Sequence, residues 1–189
     1  MMTTDTEISL IRRAKTGETE AFGQLYDTYV KRIYDFIYYK TMHRQTAEDL
    51  TSDTFFKALR SINQFKDETG SFQAWLYRIA RNTVIDHYRA KKTTVAIDDI
   101  WGLGSTADVE IDVDNKVLLE KIQSHLATLT TEQRDIVILR VWEGLSYKEI
   151  AAIVEKSPEA CKVSFSRTVS KLRAGHLTGL LLLLNQLVT

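Results

Sequence analysis

The chain has 189 residues, enough for one ordinary domain or two small ones; 44% are hydrophobic and 26% charged, which is typical of a soluble globular protein and excludes disorder throughout. Its 25 basic and 25 acidic residues cancel, so nucleic-acid binding would depend on how the charges are distributed. The single Cys161 excludes an internal disulfide, and the four dispersed histidines do not join it at metal-ligand spacing, so we expect a reducing, cytoplasmic setting with no metal and no cofactor.

Neither end of the chain carries a clear membrane signal. Residues 1–15 lack the continuous apolar core of a signal peptide. The apolar run at 180–184 is far shorter than the roughly 20 residues that a membrane span needs. We therefore expect no stable membrane insertion. The leucine-rich extension at 176–189 matches no recognisable motif; packing against a domain is the favoured interpretation, with partner binding or membrane-surface contact as alternatives.

Apolar residues recur at helical spacing through the first half of the chain, where few glycines and no proline interrupt them. The chain is therefore predicted to be all-α. One amphipathic helix is expected to begin near Thr19, with Tyr26 among its inward residues. A second is expected to begin at Thr46, which we predict as its N-cap. After a connection at 65–71, a third begins at Phe72.

The segment at 72–92 is rich in aromatic residues and becomes more basic toward its end. Aromatic faces stack on unpaired bases, which is worth about 1–3 kcal/mol per base, while Arg and Lys side chains meet phosphates. The same pattern also suits an amphipathic helix with a solvated basic face. We expect Phe72 and Trp75 to pack inward. The residues expected to be exposed for DNA contact are Tyr77, Arg78, Arg81 and Tyr88.

Helical periodicity fades over residues 93–112, where glycine, serine and acidic side chains predominate. Such a composition indicates an exposed, flexible acidic linker. We therefore predict an N-terminal helical domain at 1–92, the linker, and a C-terminal domain at 113–175. Helical domains of this size are small but feasible.

The C-terminal domain contains the local signals of a helix-turn-helix. Thr130 with Gln133, and Ser146 with Glu149, match capping boxes that open two successive helices. Pro158 suits the first position of a third helix, where its missing N–H does no harm. Two short helices joined by a tight turn are therefore predicted to end this domain.

The third helix of this domain is predicted to have a buried face and a polar face. Cys161 and Phe165 lie on the face expected to pack against Ile150 and Val154, so Cys161 is interpreted as a small core residue. The opposite face fits the major groove, where Arg can bond bidentately to a guanine edge. A purely structural helical hairpin is the alternative. The polar face consists of Lys162, Ser166, Arg167, Ser170 and Lys171.

Three motifs in this order resemble those of bacterial RNA polymerase sigma factors of the extracytoplasmic-function (ECF) group, over roughly residues 19–173. Segment 47–58, AEDLTSDTFFKA, resembles the core-polymerase-docking helix. Segment 72–82, which contains WLYRIA, is similar to the helix that handles the −10 promoter element. Segment 144–151, GLSYKEIA, resembles the start of the −35-reading helix-turn-helix. The resemblance implies a dissociable polymerase subunit that directs initiation to particular promoters, helps to open them and catalyses no bond change.

The resemblance also implies roles for individual residues. The segment at 65–70 resembles the loop that accepts an extruded −10 base, which Asn82 would help to read; flipping a base costs a few kcal/mol, so a shaped pocket turns that cost into selectivity. The residues implied to face the clamp helices of the polymerase large subunit are Glu48, Asp49, Asp53 and Lys57. The −10 set is Phe65, Lys66, Gly70, Tyr77, Arg78, Arg81, Asn82, Tyr88 and Arg89. The −35 set is Ser146, Tyr147, Lys162, Ser166, Arg167 and Lys171.

The chain departs from the family pattern at two positions of the helix-turn-helix. Family members often have a basic residue in place of Ser164 and a glycine in place of Glu155. Both departures weaken the −35 prediction more than the fold prediction. The family is commonly held inactive by an anti-sigma protein that masks these surfaces, so we expect such a partner beside core RNA polymerase and promoter DNA.

Two other classes of function stay open. A stand-alone transcriptional regulator would use the same helix-turn-helix, but it gives no reason for the docking-like helix around Asp49 or for the motif at 72–92. An enzyme would have to recruit scattered groups such as Glu48 and His87, with no nucleophile, phosphate loop or metal constellation to support it. Stable polymerase binding would favour a sigma factor over the regulator, and metal-dependent turnover would indicate the enzyme.

Overall fold

The computed structural model describes residues 4–66, 71–91 and 124–174. Every regular element in these ranges is helical, which confirms the predicted all-α class. The predicted linker at 93–112 and the extension at 176–189 lie outside the described residues. The helices are α1 (Thr4–Lys15), α2 (Thr19–Thr41), α3 (Arg44–Ser61), α4 (Phe72–Lys91), α5 (Thr131–Val141), α6 (Tyr147–Val154) and α7 (Pro158–Ala174), with a 3₁₀ turn (Ile62–Gln64) after α3.

Helices α1 to α4 form an N-terminal unit that is organised around α2. This helix packs against α1, α3 and α4, and α3 packs against α4. Phe22, Leu25 and Ile33 repeat at helical spacing and are buried in the core. The prediction that Tyr26 faces inward is wrong, because this side chain is 41% exposed. It lies at the edge of the apolar stripe, where its ring meets that of Phe55 edge-on with 4.7 Å between centroids.

The start of α3 also differs from its prediction. Thr46 is not the N-cap, because α3 begins at Arg44 and His43 is the N-cap residue. His43 Nδ1 accepts a hydrogen bond of 3.1 Å from the backbone N–H of Thr46. An imidazole thus takes the place of the Ser, Thr, Asp or Asn oxygen that usually caps a helix, which is why a search for those residues misplaces the start. Upstream, α2 ends at Thr41, and the N–H of its C-cap residue Met42 donates to the carbonyl of Tyr38 at 2.7 Å.

Residues 124–174 form a C-terminal unit in which α5, α6 and α7 pack pairwise. Both predicted capping boxes are present, one formed by Thr130 and Gln133 and the other by Ser146 and Glu149. Helix α7 begins at Pro158, as predicted. The local signals in the sequence therefore place the helix starts of the helix-turn-helix correctly.

The turn between α6 and α7 contains a residue in the left-handed region. Glu155 has φ 60° and ψ 48°, and its N–H donates to the carbonyl of Ala151. Glycine is the residue that adopts this conformation without steric cost, so the departure from glycine noted in the sequence falls where the backbone would favour it. After the turn, Cys161 is completely buried with Ile150 and Val154 in one apolar cluster, which confirms it as a core residue.

The two units pack against each other. Helix α4 contacts α6, and α2 contacts α5. A single cluster of buried apolar side chains continues from the N-terminal unit into α5, α6 and α7. At its edge the rings of Tyr39 and Trp142 lie 5.0 Å apart. As a result, the side of α4 that faces α6 is not part of the molecular surface.

Candidate nucleic-acid interface

The polar face of α7 is open to solvent along its length. Arg167 stands near its middle, with the Cys161 side of the helix turned into the core. All five residues predicted for this face are exposed: Lys162, Ser166, Arg167, Ser170 and Lys171. A shallow groove of about 440 Å³ beside it is lined by Gln133, Glu159, Ala160, Val163, Ser164 and Arg167. This face can meet an incoming DNA groove without any rearrangement of the C-terminal unit.

The start of α6 contributes the other two residues of the −35 set. Ser146 is occupied as the N-cap, since its N–H and Oγ both donate to the Glu149 carboxylate, at 2.9 and 2.7 Å. Tyr147 is half-buried, with its ring 4.8 Å below the guanidinium carbon of Arg140 and 6.1 Å from the ring of Phe165. Arg140 was not singled out from the sequence, yet it holds Tyr147 in place. Ser146 and Tyr147 therefore have structural partners within the protein, in addition to the DNA contact that was predicted for them.

The residues predicted for the −10 element do not share one open face. Arg78, Asn82 and Arg89 are exposed. The prediction that Tyr77 is exposed is wrong, because the side chain is completely buried. Its ring packs edge-on against Phe36 with 5.3 Å between centroids, and its hydroxyl reaches into the contact between the units. Packing on Phe36 of α2 and the contact with Glu143 of the C-terminal unit together account for this burial.

Arg81 and Tyr88 lie partly under the same contact. The side chain of Arg81 is only 17% exposed. Tyr88 is half-buried, and burial raises the pKa of its hydroxyl to about 12, against the opposing influence of Arg134 from α5. In this arrangement neither side chain presents its full polar surface to an incoming strand.

Lys40, Arg81 and Asp135 form a charged cluster between the units, which we name the Asp135 cluster. Asp135 is completely buried and pairs with Lys40, of which 1% is exposed. Its second carboxylate oxygen accepts a 2.9 Å hydrogen bond from Arg81 Nε. Burial lowers the pKa of Lys40, and the Asp135 carboxylate opposes that shift. Withdrawing such charges from water costs several kcal/mol per ion, which only close pairing of this kind offsets.

Arg32, Tyr77 and Glu143 form a second cluster, the Glu143 cluster, on the same contact. The Tyr77 hydroxyl donates to the Glu143 carboxylate. Arg32 Nε donates to the same carboxylate at 3.1 Å, and a second guanidinium nitrogen donates to the Glu143 backbone carbonyl at 3.0 Å. Burial raises the pKa of Glu143, while its hydrogen bond from Tyr77 and the charge of Arg32 act to lower it. The clusters give the interface two buried carboxylates, both from the C-terminal unit.

A cleft of about 280 Å³ lies where the sequence predicts a pocket for an extruded base. Phe65 is 5% exposed and packs against the rings of Phe72 and Trp75, so it forms part of the wall. Lys66 is exposed, and Gly70 lies outside the described residues. The described lining residues are Gln64, Phe65, Lys66, Ser71, Ala74, Trp75, Arg78 and Ala152. Because Ala152 belongs to α6, the helix-turn-helix forms one side of this cleft.

The residues predicted to dock on the polymerase lie on the outer face of α3. Asp49 is exposed, and the Glu48 side chain pairs with an arginine one turn earlier at 2.9 Å. Lys57 pairs with Asp53 at 2.8 Å and also contacts Thr83 of α4 at 3.2 Å. The four predicted residues therefore share a charged surface, on which Lys57 has additional structural partners.

Two apolar residues on the same helix were missed from the sequence. Phe56 is 57% exposed, with the guanidinium carbon of Arg60 5.6 Å from its ring centroid, and Leu59 is 43% exposed. Both positions fall outside the apolar stripe of α3 that faces the core, and this spacing is the signal from which their exposure could have been predicted. Large apolar side chains on a helix surface, next to charged ones, are typical of a protein-binding surface.

Metal-binding and membrane-spanning features are absent from the ranges 4–66, 71–91 and 124–174. No three or more His, Cys, Asp or Glu side chains are grouped there to hold a metal ion. None of the helices in these ranges is both long and apolar enough to cross a membrane. These residues therefore add no metal site in support of the enzyme hypothesis.

Family models match both units. Sigma-70 region 2 matches residues 25–94, and Sigma-70 region 4 matches residues 119–172. The chain belongs to the sigma-70 family. This sigma factor is 37% identical over 172 residues to the ECF RNA polymerase sigma factor BldN of Streptomyces coelicolor, covering 87% of this chain and 64% of BldN. It is 32% identical over 174 residues to the ECF RNA polymerase sigma factor SigW of Bacillus subtilis, covering 86% of this chain and 92% of SigW. These relatives place it in the ECF group.

Two solved structures resemble this sigma factor across both units. CnrH in complex with the cytosolic domain of CnrY is 25% identical, with a TM-score of 0.71 that covers 89% of this chain and 96% of CnrH. The sigma factor RpoE in complex with the anti-sigma factor NepR from Bartonella quintana is 26% identical, with a TM-score of 0.67 that covers 81% and 94%. Scores this high over most of the chain require both units to superpose together, so their relative placement is also similar.

Proposed function

We propose that this sigma factor binds core RNA polymerase in the cytoplasm, directs promoter-specific initiation and assists melting at the −10 element, without catalysing a bond change itself. The observation that carries the proposal is the match of both sigma-70 regions, in family order, on one chain. A stand-alone regulator would need only the second of them. The charged and apolar surface of α3, which such a regulator would not use, supports the same choice.

The −35 element is proposed to be read by the open face of α7. Arg167 stands in the middle of that face and can place two N–H donors on a guanine edge, whereas Lys162 and Lys171 flank it as single charges suited to phosphates. Phosphate contacts set position and affinity, whereas base contacts set sequence preference. Arg167 is therefore the residue to which we assign base discrimination.

The −10 element is proposed to be held by α4 and by the cleft beside Phe65. Arg78 is exposed at the mouth of that cleft, and Asn82 lies one helical turn further along the same side of α4. A flipped base would lie in the cleft against Trp75, while Arg78 and Arg89 meet the phosphates on either side. Asn82 carries an amide that can donate to and accept from a base edge.

Core polymerase is proposed to bind the outer face of α3. Asp49 provides an exposed negative charge and Phe56 an exposed ring on that face, so the surface combines charge complementarity with an apolar anchor. An anti-sigma protein is proposed as a further partner, because RpoE, whose placement of the two units is similar, is seen with one.

The test is transcription in vitro from a genomic promoter library with purified bacterial core polymerase, with and without this protein, followed by mapping of RNA start sites. We expect protein-dependent starts that share −35 and −10 elements. Asp49→Arg should lose most of these starts and most of its affinity for the core enzyme, since it reverses a charge on the docking surface. Asp27→Arg, the same reversal at an exposed carboxylate of α2, is the matched control.

Two results would contradict the proposal at different points. Binding of promoter DNA without core polymerase, combined with no new start sites, would identify a stand-alone regulator instead. Normal transcription by Asp49→Arg would remove α3 as the docking surface while leaving the assignment as a sigma factor intact. Circular dichroism of each variant checks that the helices are retained.

A further inference from the structure

The contact between the units is built from charge as well as apolar packing. Asp135 and Glu143, both from the C-terminal unit, are 0% and 9% exposed, and they receive hydrogen bonds from basic or hydroxyl groups of α2 and α4. A third polar contact joins Ser71 to Glu149 at 3.2 Å. Asp135 is the carboxylate that pairs with the Lys40 ammonium, which also lies 5.4 Å from the centroid of the Phe36 ring within its own unit. The counter-charge that offsets the burial of Lys40 therefore comes from the other unit.

Buried ion pairs define a geometry more sharply than apolar contacts do. An apolar surface tolerates a rotation or a shift of its partner, whereas a buried ammonium that loses its carboxylate is left uncompensated in a low-dielectric environment. The Asp135 and Glu143 clusters therefore favour one relative placement of the units. They also make opening all-or-none, because a small displacement already separates the charges.

The same contact covers the groups that would meet −10 DNA. Arg81, which the −10 hypothesis assigns to phosphate contact, instead bonds the Asp135 carboxylate. Tyr77 is turned into the Glu143 cluster, and Ala152 of α6 forms one side of the cleft for a flipped base. The Asp135 carboxylate thus accepts the hydrogen bond that Arg81 would otherwise donate to a phosphate oxygen. Meanwhile the −35 face of α7 stays exposed.

We infer that this sigma factor, on its own and without any partner, rests in a closed state in which its C-terminal unit blocks the −10 face, and that the Asp135 and Glu143 clusters must break before that face meets DNA. The inference builds on the proposed function. CnrH has a similar placement of the units when bound to the cytosolic domain of CnrY. Here, the buried charge pairs stabilise that placement from within the chain.

Closure can be measured as a distance between the units. Ser52 of α3 and Ser170 of α7 are exposed, one on each unit, and Cys161 is buried and can stay in place. Ser52→Cys and Ser170→Cys allow a donor and an acceptor dye to be attached for single-molecule energy transfer on the purified full chain. We expect one predominant high-transfer population. A predominantly low-transfer population would overturn the inference.

The lock itself is tested by Asp135→Asn, which leaves Lys40 without its counter-charge. We expect the ratio of open to closed molecules to rise at least about tenfold. Glu132→Gln is the matched control, since it removes the same charge from α5 but its partner, Lys156, lies within the C-terminal unit at 3.4 Å. The control should keep the original ratio. Equal ratios in Asp135→Asn and the control would overturn the assignment of the lock.

A double variant separates lost locking from lost folding. Lys40→Met with Asp135→Leu replaces the ion pair by apolar side chains, which buried sites of this kind often accept. We expect it to return to high transfer, with Arg81 turning to solvent through its remaining exposure of 17%. A double variant that stays open would show that Asp135 does not act through Lys40.

Binding and transcription distinguish failure of closure from failure of the function. A short single-stranded oligonucleotide that carries the mapped −10 sequence should bind Asp135→Asn several-fold more tightly than it binds wild type or Glu132→Gln. If the wild-type protein is open and still gives promoter-specific starts with core polymerase, closure is overturned and the proposed function stands. A closed wild type and an opened Asp135→Asn, both without any starts, would overturn the proposed function alone.

Discussion

The two DNA-reading faces of this sigma factor are in opposite states. On α7 the residues of the polar face are exposed. On α4 the corresponding face is divided. Arg78 and Asn82 are exposed, whereas Tyr77 donates to Glu143 in the connection after α5 and Arg81 donates to Asp135 in α5. The difference implies an order of events in which −35 contact is possible first and −10 contact follows separation of the units.

Tyr77→Phe is expected to have the largest effect, because it weakens the contact that covers part of the α4 face. The change keeps the ring that packs on Phe36 but removes the hydroxyl that donates to Glu143. A hydrogen bond to a charged group is worth about 1.5–3 kcal/mol, and the carboxylate stays buried, so the closed state should weaken by about that amount. The measurement is the open-to-closed ratio from the dye pair on Ser52→Cys and Ser170→Cys. Tyr34→Phe, a ring on α2 outside the contact, serves as control, and equal ratios in both would contradict the prediction.

The burial of Tyr77 also marks the limit of what hydrophobic periodicity predicts. A repeat of 3.6 residues separates the inward from the outward side of a helix within its own domain. It predicted that Phe72 packs inward, and the burial of Phe72 confirms this. Tyr77 lies at the edge of that inward face, where its ring packs on Phe36 of α2 and its hydroxyl meets Glu143 of the second unit. No local pattern carries that information, because the partner surface lies more than 50 residues further along the chain.

Interactions between neighbouring residues could be predicted from the sequence, whereas interactions between distant residues could not. The capping boxes at Thr130 and Ser146 involve residues three positions apart, so the sequence predicts them directly. Lys40 and Asp135, by contrast, are separated by 95 positions and look like surface charges in the sequence. The all-α class, the helix-turn-helix and its exposed face were thus predictable. The buried clusters that decide the state of the −10 face were not.

Arg167→Ala tests the open face and has the next largest effect. Loss of a bidentate contact to a base should cost about 1–3 kcal/mol for the preferred −35 sequence and little for a sequence altered at that base. Lys162→Ala is the contrasting variant, because a phosphate contact should weaken binding to all sequences equally and reduce its dependence on salt. The measurement is affinity for a panel of single-base −35 variants. Retained discrimination in Arg167→Ala would move base reading to another residue of α7.

Asn82→Ala tests the half of the α4 face that stays exposed. Loss of one neutral hydrogen bond to a base edge corresponds to about 1 kcal/mol of discrimination among −10 sequences. Transcription from −10 variants with saturating core polymerase isolates this effect, because polymerase binding at α3 should be unchanged. Gln24→Ala, which removes an exposed amide from α2, is the control. An unaltered −10 preference in Asn82→Ala would remove this residue from the −10 set.

Glu155→Gly should have the smallest effect. Unlike the other changes, it should stabilise the protein. At φ 60° a side chain costs roughly 1–2 kcal/mol, of which the greater flexibility of glycine in the unfolded chain cancels about 0.5–1 kcal/mol. A gain of roughly 0.5 kcal/mol in the free energy of unfolding should remain, measurable as a shift of the urea midpoint at constant slope. The side chain is exposed and lies outside both charged clusters, so closure and −35 discrimination should stay as in wild type. A change in the open-to-closed ratio without a gain in stability would mean that the turn, through the position of α6, takes part in covering the −10 face.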